Sequence, residues 1–191
     1  MRQETQTIIV CQFAELNDDA KDCARQWYRS SMGDDAWAWG DEWRDSAQAF
    51  SRIAPIKITD ADFERGHVSI EWQGPDHASR YDHSDAIAEL TGLRAWVWLT
   101  NNNWFVWAQK NREGECTMTG FCGDCAFGDA LKEYERNPRR VPELKQVFYE
   151  MAQSWVYAAR RDMESSNSDE YIDETIIANE YEFTDSGDFY G

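Results

Sequence analysis

Between residues 142 and 164 apolar side chains recur at Leu144, Val147, Phe148, Met151, Ala152, Trp155 and Ala159. Steps of three and four gather these side chains onto one face only if the segment is an α-helix. A stripe that long, roughly 23 Å at ~1.5 Å per residue, must be covered by other elements. Pro142 suits the first turn, where its missing N–H goes unneeded, and Ser165-Ser166-Asn167 breaks the pattern at the far end. The segment reads as a central core helix, and the rest of the chain is read for what covers it.

Residues 8–14 (IIVCQFA) form a short apolar run and are expected to be a first strand. Asn17 is a good N-cap, with Asp18 and Asp19 in the first turn. Ala20, Cys23, Ala24, Trp27, Tyr28 and Ser31 then keep one helical face over 18–31, ended by Gly33. Asp34 or Asp35 opens a second helix over 36–53, with Trp39, Trp43, Ala47, Phe50 and Ala54 on one stripe and Pro55 as the stop. The two helices are expected to pair as a hairpin.

Residues 56–59 and 68–72 alternate about an Arg65-Gly66 turn, as a β-hairpin would. Residues 73–83 read as a polar loop, and Ser84-Asp85 caps a short helix through Leu90. Leu93 to Thr100 reads as helix or strand. Trp104 to Ala108 is an aromatic, β-like run after an Asn101–Asn103 turn. Residues 111–123 read as loop and 127–136 as a short helix. Asn167 with Glu170 resembles a capping box for a last helix over 168–179, followed by a strand at 181–184 and a turn at 185–187. The expected fold is a single α+β domain over 1–191: about five helices, including a helical hairpin and a long central helix, with a small antiparallel sheet.

Charge sets the functional reading. The chain of 191 residues carries a net charge of -17, and residues 162–191 hold ten carboxylates with no Lys, Arg or His. Runs of like charge are usually disordered. This one also contains Tyr171, Ile172, Ile176, Ile177, Tyr181, Phe183, Phe189 and Tyr190, too much apolar surface for a solvating tail. It is expected to fold as a capped helix, strand and turn against the helix at 142–164. Acids three and four apart on a helix stand ~5–6 Å from one another. Phosphates recur at ~3.4 Å of rise per DNA strand. Glu164, Asp169, Glu170, Asp173, Glu174, Glu180, Glu182, Asp185 and Asp188 are therefore the expected partner-binding residues, presented to a basic surface that normally holds nucleic acid. The plain alternative is that the acidity serves solubility. The same field argues against direct binding of nucleic acid or of an anionic membrane. No segment reaches the ~18 apolar residues of a membrane span, and Ile8-Ile9-Val10 is too short for a signal-peptide core.

Catalytic chemistry finds little support. Cys116, Cys122 and Cys125 form C-x5-C-x2-C, of which a zinc site would use the C-x2-C half and still need a fourth ligand. Reduced thiols are the expectation for five cysteines in a chain of cytosolic character. His67, His77 and His83 with Asp76, Asp82 and Asp85 could draw a hydrolytic metal, but their spacing matches no metal motif. No phosphate-binding loop, nucleophile elbow, zincin helix or EF-hand loop is present. No catalytic residue, metal or cofactor is therefore assigned. Trp27, Trp39, Trp43 and Trp155 read as core. Trp37, Trp96, Trp98, Trp104 and Trp107 are denser than a core requires, and some could anchor a partner.

Five stretches together resemble a family of small acidic proteins encoded by phages and prophages, some labelled antitoxin-like. They are residues 13–28 (FAELNDDAKDCARQWY), 41–46 (DEWRDS), 87–96 (IAELTGLRAW), 118–124 (MTGFCGD) and 178–187 (ANEYEFTDSG). Cys125 falls outside them. The resemblance transfers no catalytic signature. With the charge, it implies an anti-defence inhibitor of anti-CRISPR or anti-restriction type. Such a protein would act in the host cytoplasm as a DNA mimic on a nucleic-acid-binding defence complex. An antitoxin that binds its toxin directly is the next reading, and a metal-dependent enzyme the third.

Overall fold

The computed structural model describes residues 8–32, 37, 39–74 and 84–191. Gly33, Asp34, Asp35, Asp76, His77, Asp82 and His83, on which a helix end, a helix start and candidate metal ligands are expected, lie outside the described residues. Among the described residues the order is β1 (Val10–Gln12), α1 (Asp18–Met32), α2 (Gly40–Ile53), β2 (Ile56–Asp62), β3 (His67–Trp72), α3 (Ser84–Ala88), α4 (Gly92–Asn101), α5 (Trp104–Arg112), α6 (Cys125–Asp129), α7 (Leu131–Arg136), α8 (Leu144–Ser166), α9 (Asp169–Ala178) and β4 (Glu182–Thr184). The fold is α+β and mostly helical, with two antiparallel two-stranded sheets, β1–β4 and β2–β3. The residues group into two compact units: both chain ends (residues 1–38 and 163–191), and the middle (39–162). The helices expected to form a hairpin, α1 and α2, belong to different units.

In the unit of the chain ends, α1 forms where its cap dictates. The Asn17 Oδ1 accepts from the Ala20 N–H at 3.0 Å. The face of Ala20, Ala24 and Tyr28 is buried with Phe13, Leu16, Ile172, Ile176 and Phe183. The apolar side of the acidic segment therefore meets the N-terminal segment, a partner that local pattern could not name. Antiparallel pairing of Cys11 with Phe183 joins the chain ends. Trp27 stacks on Phe189 with ring centroids 4.0 Å apart, and Tyr181 meets Trp27 edge-on at 5.6 Å. The cap of α9 is Ser168, whose Oγ accepts from the Tyr171 N–H at 3.3 Å, rather than Asn167. Asn167 instead extends the end of α8, its side-chain amide donating to the Met163 carbonyl at 3.1 Å.

In the middle unit every residue of the 144–159 stripe is buried, with Val156 beside them. Aromatic rings cover it. Phe127 stacks between Phe50 (4.0 Å) and Trp155 (5.5 Å), and Trp104 meets Phe148 edge-on at 4.8 Å. The β2–β3 hairpin matches expectation, with a bulge between Ile58 and Asp60. The stretch 104–108 does not: it opens the helix α5. Five apolar residues cannot by themselves separate helix from strand. The deciding contacts are those of Trp104, Ala108 and Asn111, buried at steps of four and three. Gly128 allows the approach, since a Cβ there would lie 3.1 Å from the Ala108 Cα. The ambiguous stretch 93–100 is likewise helical, as α4.

Candidate acidic docking surface

The described residues of the chain-end unit, 8–32, 37 and 163–191, hold thirteen carboxylates against three basic residues. Two of those three bases, Arg25 and Arg29, stand one turn apart on α1 and face α9. Arg25 binds Asp173 through two parallel bonds, Nε to Oδ1 and an Nη to Oδ2, each 2.7 Å. Arg25 also reaches Asp22 at 2.8 Å and lies over the Phe13 ring at 5.8 Å. Arg29 bonds the Asp169 carboxylate and the Asn167 carbonyl. The Asp173 hydrogen bonds, partly offset by burial, hold Arg25 more firmly protonated than a free guanidinium. The hydrogen bond from Arg29, partly opposed by burial, holds the Asp169 carboxyl below its ordinary value of 3.8, with the charges of Arg25 and Arg29 helping.

These pairs divide the nine expected binding residues. Asp169 and Asp173, four apart, are turned to α1 and neutralised there. Glu170 and Glu174, one position further round α9, are exposed and form no ion pair among the described residues. Glu180 is exposed at the end of α9 with φ 55°, and Asp185 is exposed in the last turn. Glu182 accepts from the Gln12 side-chain amide at 3.3 Å, and Asp188 from the Ser186 hydroxyl at 2.9 Å. Glu164 is exposed on the last turn of α8. The outward charge is thus carried by Glu164, Glu170, Glu174, Glu180, Asp185 and Asp188, with Asp169 and Asp173 as its fasteners.

Arg25→Ala leaves Asp173 in a negative field without its two-point partner. The expected loss is about 2 kcal/mol of unfolding free energy, read from the urea midpoint. A shift as small as that of a surface Arg44→Ala control would remove the fastening role. The Asp169 contribution has a definite pH sign. Its folded pKa lies below 3.8, so the stabilisation is complete above that value and fades as pH falls through the folded pKa. Between about pH 5 and pH 2, stability should drop less steeply in Asp169→Asn than in the wild type. Parallel acid limbs would contradict the assignment.

The C-x5-C-x2-C loop is organised by a residue that the sequence reading passed over. Asp124 is fully buried. Its carboxylate accepts from the Ser46 hydroxyl, from the Thr119 hydroxyl at 2.9 Å, and from the Met118 and Thr119 amides at 3.1 and 2.8 Å. An acid between Gly123 and Cys125 in an otherwise loop-like stretch was its only local signal. Among the described residues no group of three or more His, Cys, Asp or Glu side chains is arranged to hold a metal ion. Of the tryptophans read as core, Trp43 and Trp155 are buried, Trp27 is half-buried, and Trp39 is 49% exposed and stacks on Phe121; Trp104, read among the possible anchors, is instead buried.

No family model, curated protein or solved structure matches this chain. No helix among the described residues is long and apolar enough to cross a membrane.

Proposed function

We propose that the chain-end unit is a docking surface for a basic, nucleic-acid-binding face of a host defence complex, and that the protein is a phage-encoded inhibitor acting by occlusion without turnover. The carrying observation is the segregation of charge: thirteen carboxylates against three bases among the described residues of one unit, with the two facing arginines spent on Asp169 and Asp173. A fixed, outward row at Glu170 and Glu174 displaces counterions from a cationic groove much as phosphates do. The phage origin and the defence context are proposed on the resemblance that residues 13–28 and 178–187, both in this unit, carry.

The structure sharpens the choice of variant. Replacing Asp169 or Asp173 would disturb the pairing with α1, whereas Glu170→Gln with Glu174→Gln removes outward charge alone. Tagged wild-type protein should retrieve a nucleic-acid-binding complex from a defended host, be released by salt, and compete with DNA. The double variant should bind that complex about tenfold more weakly or worse, with unchanged thermal stability. A retrieved complex that binds its DNA normally with the inhibitor attached would refute occlusion. Retrieval of a single basic toxin would move the assignment to an antitoxin.

A further inference from the structure

We propose that Cys122 and Cys125 are an oxidation site that closes to a reversible intramolecular disulfide, with Cys122 as the attacking thiol. The geometry comes from the turn that joins them. Residues 122–124 form a 3₁₀ turn, closed by the Cys125 N–H donating to the Cys122 carbonyl. Side chains three apart in such a turn eclipse one another, with Cα atoms about 6 Å apart along the axis. Disulfides need Cα atoms about 4.4–6.8 Å and Cβ atoms about 3.5–4.5 Å apart, so the Cα spacing is within range and the eclipsed side chains must lean together by about 1.5–2 Å as the bond closes. The residue between the two thiols that holds the turn is Asp124, fully buried and bonded to two hydroxyls and two amides. The thiols are therefore presented by a braced turn, not by a floppy loop.

Exposure gives them different roles. Cys122 is exposed and Cys125 half-buried at the start of α6. Burial, then the nearby Asp129 and the other thiols, pushes the Cys125 thiol up; burial and Asp124 do the same to Cys116. A small disulfide such as oxidised glutathione thus meets Cys122 first. The Cys122 thiolate attacks one glutathione sulfur, the glutathione disulfide bond breaks, and one glutathione leaves, taking up the proton that Cys122 lost. The Cys125 sulfur then attacks Cys122 Sγ, and the second glutathione leaves with the Cys125 proton. Two protein thiols are oxidised and one disulfide is reduced to two thiols.

The test treats the reduced, full-length chain with excess oxidised glutathione and maps the products by mass spectrometry. In the wild type, peptides carrying Cys122 and Cys125 should be linked, with two hydrogens lost and no glutathione retained. In Cys125→Ser, and in Cys125→Ala as a check on local folding, Cys122 should retain about tenfold more glutathione than in the wild type. Cys116→Ser should still form the link. Cys23, exposed on α1, serves as the reference thiol that retains glutathione in every variant. Equal retention on Cys122 in wild type and Cys125 variants, or a link from Cys122 to Cys116, would overturn the proposal.

Discussion

Gly187→Ala should destabilise the protein by about 3 kcal/mol or more and lower its melting temperature by roughly 10 °C. Gly187 lies in the turn after β4 with φ 90°, and a Cβ there would come within 2.1 Å of the Ala20 carbonyl oxygen and 2.9 Å of the Cys23 Cβ. The obstacle is the backbone of α1, near the turn that Asn17 caps, so no side-chain rotation relieves it. Either the first turn of α1 moves or the segment 185–189 lifts, and with it Phe189 leaves its stack on Trp27. Gly114→Ala is the matched control. Gly114 has φ 91° but no atom within 4 Å of the added carbon, so it should lose only the left-handed strain, about 1 kcal/mol. Thermal and urea unfolding of both variants separate clash from strain. Equal losses would mean that the close approach of the last turn to α1 is not real.

Asp124→Ala should cost about 4 kcal/mol, because it removes the buried acceptor shared by two hydroxyls and two amides. Hydrogen exchange at the Met118 and Thr119 amides should accelerate with it, since both donate to Asp124. Asp124→Asn keeps one carbonyl oxygen, and the Ser46 and Thr119 hydroxyls can rotate to accept from the new amide. Its loss should be about half as large. A midpoint change of less than about 1 kcal/mol in Asp124→Ala would show that water replaces the carboxylate and that the loop is not built around it.

Where a pattern repeats within one element, the local sequence sufficed. The stripe from Leu144 to Ala159, the cap at Asn17 and the hairpin around Arg65-Gly66 all appear as expected, because helix period, side-chain capping and strand alternation act over a few residues. Reading failed where two neighbours compete or where a short run is ambiguous. Asn167 and Ser168 are both good caps, and only the path out of α8 decides for Ser168. Trp104 to Ala108 has strand-like composition, but buried contacts at helical steps, with Gly128 admitting Ala108, decide for α5.

Charge shows the same division. That residues 162–191 are strongly acidic, and too apolar to be a mere tail, is composition, and the sequence determined it alone. Which acids face outward was not determined there. Neighbouring positions on a helix point about 100° apart, so Asp169 and Glu170 can have opposite fates. The choice is made by Arg25 and Arg29, which lie 148 and 140 residues away from Asp173 and Asp169 along the chain. Only tertiary packing brings α1 against α9, and that packing turns one pair of carboxylates into fasteners and leaves Glu170 and Glu174 to meet a partner.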